Sequence, residues 1–536
     1  MKKLKLVCVA IAMACATPTL AGGLLTNTNQ HVAFDRMMSR EASIGIDGVY
    51  YNPAGVVFMS EGHHLAINWQ LAFQTRTINN DYALFTNNVN NPITPRDFKG
   101  TAFAPVIPSF QYAYNKGKWS FQASFALTGG GGKCTFDDGL GSFEKIVAET
   151  AIAACGLAGV VDQTLGNTLG QPGMEMFTSD QAFGKTGKYS FNSYMHGRQY
   201  YYGLSVGAAY KFCDNFSAFL GVRGVYALTN YYGYVENINV GNMPLYKVLD
   251  PTKESSANIE LSCDQSGVGF TPIIGVDYKT GRWNFSAKYE FKTRIRLKNK
   301  SVNQTPSIGN LPANLANQMT GILTAKYQQA GLPLEQAKQQ AENTTNAVLN
   351  DPTVGATMIG LKTQFDQKLN KAIGEYEDGK KIAGDIPAYL ALGVGYRPVD
   401  AVRVNVGFHW FDDKNATSYN NHNKELKRGT LEYNAGVEVD VNKKITLSTG
   451  WQNTNYGLSD EYMDDKSFVV SSNSVAIGGV YHINKKMDLN VAYFHTFYQH
   501  KKTTEKVQLT ADRSLNYSSD YTRNNNVFAV GLDINF

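Results

Sequence analysis

Beyond its first twenty-one residues the chain has no continuous run of about eighteen apolar residues, which excludes a bundle of membrane-crossing helices. Cysteine is scarce: of six, Cys8 and Cys15 fall in those first residues, and no CxxC pair supports a zinc site. Charge of one sign is lacking too. The net charge is +5 and no Lys/Arg block stands out, so nucleic acid is not an expected partner. Enzyme signatures fail one by one. Gly184-Lys185-Thr186 lacks the earlier glycine of a phosphate loop, and His63-His64 has no Glu at metalloprotease spacing. Gly203-Leu204-Ser205-Val206-Gly207 spells a nucleophile elbow but lies in an alternating stretch, where that chemistry needs a sharp strand-to-helix turn. No catalytic residue, metal or cofactor is expected.

What is present begins with an export signal. Lys2, Lys3 and Lys5 precede an apolar stretch from Leu6 to Ala16, and Thr19-Leu20-Ala21 ends in the small residue a signal peptidase needs. Residues 1–21 are read as a signal peptide, with the mature chain starting at Gly22. A lipoprotein reading at Cys15 fails because Ala12-Met13-Ala14 lacks the aliphatic residue three places earlier. In an oxidising compartment Cys134 and Cys155, in one long connection, are candidates for a disulfide, whereas Cys213 and Cys263 are expected to stay unpaired.

Glycine, Asn, Tyr and Phe are abundant and mean hydropathy is negative, a composition that suits a barrel with a polar inside and a lipid-facing outside. Alternation of period two supports it. Phe528, Val530, Leu532, Ile534 and Phe536 alternate with Ala529, Gly531, Asp533 and Asn535, and Val402 to Trp410 alternates with Arg403, Asn405, Gly407 and His409. Strands are expected near 64–78, 103–115, 118–129, 199–212, 215–237, 258–279, 282–297, 387–397, 400–411, 428–441, 443–453, 470–483, 486–499 and 524–536. Short turns alternate with long loops between them, as periplasmic and extracellular ends do. The expected fold is all-β: a fourteen-stranded antiparallel transmembrane β-barrel over residues 63–536, in the outer membrane, with both termini at the periplasmic end. A soluble β-sandwich would also alternate, but would not need outward aromatics near strand ends such as Trp69, Trp119, Trp283, Trp410 and Trp451.

Two extracellular loops, 130–197 and 298–386, carry helical periodicity around Phe143 to Gly159, Leu315 to Ala330, Leu334 to Leu349 and Phe365 to Tyr376. Loops of this size form caps or binding surfaces. Residues 22–62 precede the first strand and are placed in the lumen as a hatch, because an unfilled barrel of this size would leak.

Within that segment Asn52-Pro53-Ala54-Gly55, following Ser43 to Tyr51, resembles the hatch motif of the FadL/TodX family of outer-membrane channels. Asp385 to Pro398, a strand that starts after a Pro and closes on Gly-Tyr-Arg-Pro, is a second echo. The resemblance implies a channel for long-chain fatty acids or other small hydrophobic compounds. Its cargo would be captured at the outer loops, held in a lumenal pocket and released sideways at a kinked strand into outer-membrane lipid. Separately, the terminal Phe536 on an alternating strand resembles the signal by which the barrel assembly machinery recognises outer-membrane barrels, an expected partner. Gly129, Gly130, Gly131 and Gly132 are the candidates for the kink, with a flexible loop entry as the competing reading. Arg223, Lys288 and Arg403 point inward by parity and are candidates to hold a ligand carboxylate; the competing reading is a lumenal network with Glu290, Glu432, Glu438 and Asp440. Apolar loop residues such as Leu157, Leu311, Leu315, Met319 and Leu323 are candidates for a capture groove. A monomer is expected. The alternative function is a structural or adhesive barrel without transport.

Overall fold

The computed structural model describes residues 24–510 and 512–536; the expected signal peptide and Gly22 lie outside them. Fourteen strands form the wall: β1 (Gly62–Tyr82), β2 (Arg96–Lys116), β3 (Trp119–Phe136), β4 (Tyr189–Lys211), β5 (Phe216–Val240), β6 (Ile259–Thr280), β7 (Trp283–Glu290), β8 (Tyr389–Val399), β9 (Val402–Phe411), β10 (Thr430–Asn442), β11 (Ile445–Asn455), β12 (Ser472–Asn484), β13 (Met487–Tyr498) and β14 (Arg513–Asn535). Each pairs antiparallel with the next, and β14 closes onto β1 in register from His64↔Asn535 to Tyr82↔Tyr517. Closure removes the sheet edges that lipid could not hydrogen-bond.

Alternation sorts the side chains as the sequence pattern demands. Ile67, Trp69 and Phe73 on β1 and Leu220 and Phe270 on β5 and β6 point out and are exposed, while Ala66, Asn68, Gln70 and Ala72 point in and are buried. A belt of large apolar side chains around a closed barrel is stable only in lipid. Strands β4 to β6 run 23, 25 and 22 residues, about twice what a bilayer requires, and raise the long loops well clear of it.

The strand ends differ from the sequence reading in several places: β1 runs on to Tyr82 rather than 78, β2 starts at Arg96 rather than 103, β3 ends at Phe136 rather than 129, and β4 starts at Tyr189 rather than 199, so the loop expected at 130–197 is shortened at both ends. β7 stops at Glu290 rather than near 297; residues 291–295 fold inward over Gly267 and Gly269, and Arg296–Ser301 then pairs with the outer part of β6 and with Lys381–Ala383. β14 starts at Arg513 rather than 524, extended by a hairpin with Lys501–Thr510. Above the bilayer both faces of a strand are polar, so alternation fades there.

Helix α1 (Val32–Met37) lies inside the barrel, whereas α2 (Gly141–Leu169), α3 (Leu311–Gln329), α4 (Leu334–Leu349) and α5 (Pro352–Ile373) build a cap over the long-loop end. α2 is long and apolar enough to cross a membrane by composition, but its buried face packs Val147, Ala151 and Val161 into the core of the cap. The seat of α1 explains two glycines. Gly436 and Gly450 are cross-strand partners on β10 and β11, and a Cβ on either would run into the Met37 carbonyl. Gly450→Leu is expected to leave the barrel folded but to unseat α1 at a cost of about 1–3 kcal/mol. Planar-bilayer recordings check it: ion conductance should rise above that of the parent protein.

Candidate functional site: hatch, wall gap and outer clefts

Residues 24–61 thread the lumen from the long-loop end to the start of β1. At the short-turn end the hatch is fixed by polar contacts to many strands. Asn52 Nδ2 donates to Asp277 Oδ2 (2.5 Å) and Asn52 Oδ1 accepts from Gly55 N (3.1 Å). The Pro53 carbonyl accepts from Gln122 Nε2 (2.7 Å) and the Ala54 carbonyl from Ser217 Oγ (2.7 Å). The Asn-Pro-Ala-Gly turn is thereby tied to β3, β5 and β6, and Ala54 packs on Ala209, Phe219 and Ile273. The Asn52 side chain closes the turn and meets the wall with opposite ends of one amide, which an apolar side chain cannot do.

Ion pairs complete this seat. Arg36 pairs with Glu438, and Arg40 bridges Asp47 (2.7 Å) and Glu438 (3.1 Å). Buried His409 on β9 sits between Glu41 of the hatch (2.7 Å) and Glu432 of β10 (2.8 Å). The three basic residues singled out as carboxylate partners belong to the same lattice. Arg223 grips Glu290 through both Nη atoms (2.6 and 2.9 Å), Lys288 meets Glu290 (3.0 Å) and the Tyr50 carbonyl (2.6 Å), and Arg403 holds Asp440 (2.6 Å) and Glu438 (3.2 Å). None faces an apolar cavity; Arg403 opens onto a polar vestibule at the short-turn end. The ion-pair reading is the one the geometry supports, because each charge already has a buried partner. Ser205, the centre of the elbow-like sequence, lies in unbroken β4 and accepts from Arg223 Nε (3.1 Å).

The wall opens where the glycines are. Pairing of β2 with β3 lapses between Thr101↔Thr135 and Phe110↔Phe125, and the β3–β4 register shifts at Gly129 and again before Gly132. Gly130 (φ +85°) and Gly132 (φ +66°) take a backbone conformation that only glycine adopts without strain. Opposite them β2 carries Pro105 and Pro108, which have no N–H to leave unpaired. The hatch supplies the missing partner. Thr26 bridges Gly129, Asn27 N donates to the Thr128 carbonyl (3.0 Å), Gly130 N donates to the Leu25 carbonyl (3.0 Å), and Asn27 Nδ2 donates to the Gly130 carbonyl (3.0 Å). A narrow cleft lined by Ile107, Pro108, Ala126 and Leu127 lies at this break.

Two further clefts lie above. A small lumenal cavity, lined by Phe136, Met195, Phe468 and Val469 with Leu24 and Leu25 of the hatch and by the polar Arg76 and Lys466, shares Gly130, Gly132 and Gln199 with the gap. In the cap, Leu157 and Val161 of α2 face Leu311 and Leu315 of α3 and Leu361 and Phe365 of α5 around an apolar cleft. Its rim carries the Lys368–Glu149 ion pair (2.6 Å). Phe143 packs against the cores of both the cap and the lumenal cavity. Leu157, Leu311 and Leu315 thus line the outer cleft as the sequence suggested, while Met319 and Leu323 are fully buried in the cap.

The candidate disulfide is corrected: Cys134 and Cys155 are both free. Cys134 lies on β3 beside the lumenal cavity, whereas Cys155 lies on α2 and its Sγ donates to the Phe183 carbonyl (3.3 Å). What sequence reading missed is the proline pair of β2 and Asn27, both visible as breaks in the pattern.

Two predictions concern the hatch. Asn52→Ala leaves Asp277 without its hatch partner and is expected to weaken the seat by about 1–3 kcal/mol; protease accessibility of residues 40–60 in the refolded protein should rise. At the outer end Asp413, in the β9–β10 loop, accepts from Leu24 N (3.3 Å) and Thr430 N (2.9 Å), and burial pushes its carboxyl up to about 6. A raised carboxyl contributes stability that is full below its ordinary value of 3.8 and is lost as pH rises through about 6. Asp413→Asn should shrink the difference in unfolding free energy between acid and neutral pH by about 3 kcal/mol, measured by urea titration.

No family model and no curated protein matches the chain. Solved structures do match. A Pseudomonas aeruginosa FadL homologue aligns with a TM-score of 0.59 and 13% identity, covering 96% of this chain and 100% of that one. A deletion mutant of the monoaromatic hydrocarbon channel TodX aligns with a TM-score of 0.50 and 12% identity, covering 94% and 99%. With its lipid-facing belt and closed wall, the chain is a membrane β-barrel that has the fold of the FadL homologue.

Proposed function

We propose that the protein takes up long-chain fatty acids or other small hydrophobic compounds across the outer membrane. The cap cleft captures them, the lumenal cavity holds them, and the gap between β2 and β3 releases them sideways into lipid. The observation that carries this reading is the lapse in β2–β3 pairing, bridged by the hatch and adjoining a lumenal cavity with an aromatic wall. A water-filled axial pore would serve an apolar solute poorly, since each apolar surface would have to be hydrated on the way through. A side exit from a greasy cavity into the bilayer avoids that cost. The short-turn half of the lumen, crossed by ion pairs, offers no apolar path in the same direction. An adhesive barrel would need the cap but has no use for a cavity open to its wall.

The reading predicts that filling the gap stops transport without stopping capture. Ala126→Trp places a large side chain in the cleft at the break. Uptake of a labelled long-chain fatty acid by cells carrying the variant should fall at least about tenfold, while binding to the purified protein stays within a factor of about two. Unchanged uptake with the variant folded in the membrane would exclude the side exit.

A further inference from the structure

The chain leaving β7 for the cap carries a stripe of cations. In Phe291-Lys292-Thr293-Arg294-Ile295-Arg296-Leu297-Lys298-Asn299-Lys300 every even position is Lys or Arg, and no acidic residue interrupts the run. Thr293, Ile295, Leu297 and Asn299 between them are buried, and Ile295 and Leu297 pack with Tyr201 and Val225 of the inner wall. Alternation therefore turns Lys298 and Lys300 outward, and Arg294, Arg296, Lys298 and Lys300 are all exposed.

Pairing sets this stripe at the outer edge of the lipid-facing belt. Lys298 lies opposite Ser266 of β6 and Lys300 opposite Asp264. The next outward side chains of β6 toward the bilayer are Val268 and Phe270, 63% and 70% exposed. Phe291, whose N–H donates to the Pro272 carbonyl (3.0 Å), extends the same apolar surface. Cations directly above exposed apolar side chains stand where headgroups meet acyl chains.

Counter-charges are few. Arg296 is held by Asp385 (2.9 Å), which Lys292 approaches at 3.7 Å, and Asp264 accepts from Asn230 Nδ2 (2.8 Å). Among the described residues Arg294, Lys298, Lys300 and Lys381 are in no ion pair. Lys381, also exposed, stands directly across from Lys298 where 381–383 pair with 296–298. Like charges placed opposite each other destabilise a strand pair, and an anion between the two ammoniums would remove that repulsion. The far side of the wall lacks this pattern. Above the exposed Phe73 of β1 and Phe103 of β2, the outward positions include Thr77, Asn79, Lys99 and Asp97, with Asn79 donating to Asp97 (2.7 Å). A merely solvated basic face requires neither confinement to one sector nor a place at the lipid boundary.

We propose that this stripe binds a phosphorylated glycolipid of the outer leaflet, of the lipid A type. Its headgroup phosphates would sit among Arg294, Lys298 and Lys381, and its acyl chains would run down Val268, Phe270 and Phe291. Arginine meets a phosphate with two parallel N–H donors and lysine with a point charge. The proposal requires the long-loop end to face the outer leaflet and is independent of what the lumen carries.

The test is binding of bisphosphorylated lipid A, and of the same lipid after dephosphorylation, to the full-length protein in nonionic detergent, read by native mass spectrometry. The phosphorylated lipid should bind at least about tenfold more tightly at low salt, and the preference should shrink as ionic strength rises. Arg294→Gln/Lys298→Gln/Lys381→Gln should bring the two lipids to within about twofold, whereas Lys116→Gln/Lys118→Gln at the short-turn end should leave the preference intact. The triple variant should unfold at no lower urea concentration than the parent, since a like-charge pair has been removed. Equal binding of the two lipids by the parent, a preference that survives the triple variant, or one lost equally in the short-turn variant would overturn the proposal. Binding of the deacylated, water-soluble headgroup as tightly as the intact lipid would assign the stripe to a soluble anion and overturn it as well.

Discussion

A β-wall in lipid must satisfy its backbone hydrogen bonds from within, because nothing in the hydrocarbon can do so. Between β2 and β3 this barrel leaves residues 102–109 and 126–134 unpaired with each other, and the rest of the design follows from how that lapse is tolerated. Two prolines reduce the donors on one side. On the other, glycines bend the strand toward the lumen, where the hatch pairs with it through Thr26 and Asn27. The hatch is therefore part of the wall as well as a plug. Moving its first residues would expose the backbone of β3 at the gap.

The lumen divides by chemistry along its axis. Its short-turn half holds the hatch through buried ion pairs and amide contacts, and groups there are paired so closely that little capacity remains for a ligand. The long-loop half is different. It has an apolar cleft in the cap and, sharing Gly130, Gly132 and Gln199 with the gap, a lumenal cavity lined by Phe136, Met195 and Phe468.

Much of this was legible in the sequence because lipid enforces a two-residue period. Strand positions, short turns, the lumenal hatch and the cap helices all follow from alternation or its loss, and the Asn-Pro-Ala-Gly turn stands where the chain must pass from hatch to wall. Parity also put Arg223, Lys288 and Arg403 in the lumen, but not their partners: Arg403 faces Glu438 only through the β9–β10 register, and Lys288 meets Tyr50 only once the hatch is threaded. Cys134 and Cys155 share a connection in sequence, yet one belongs to a strand and the other to a helix, and nearness along the chain says nothing about that.

The central claim is that cargo moves through the apolar long-loop half and leaves through the wall. The most direct measurement is a crystal structure with a long-chain fatty acid brominated at its tail, located by the anomalous signal of bromine. The account predicts bromine in the cavity beside Phe136 and Phe468 or in the cleft between β2 and β3. Bromine in the polar vestibule at the short-turn end, beside Arg403, would contradict it and indicate passage along the barrel axis.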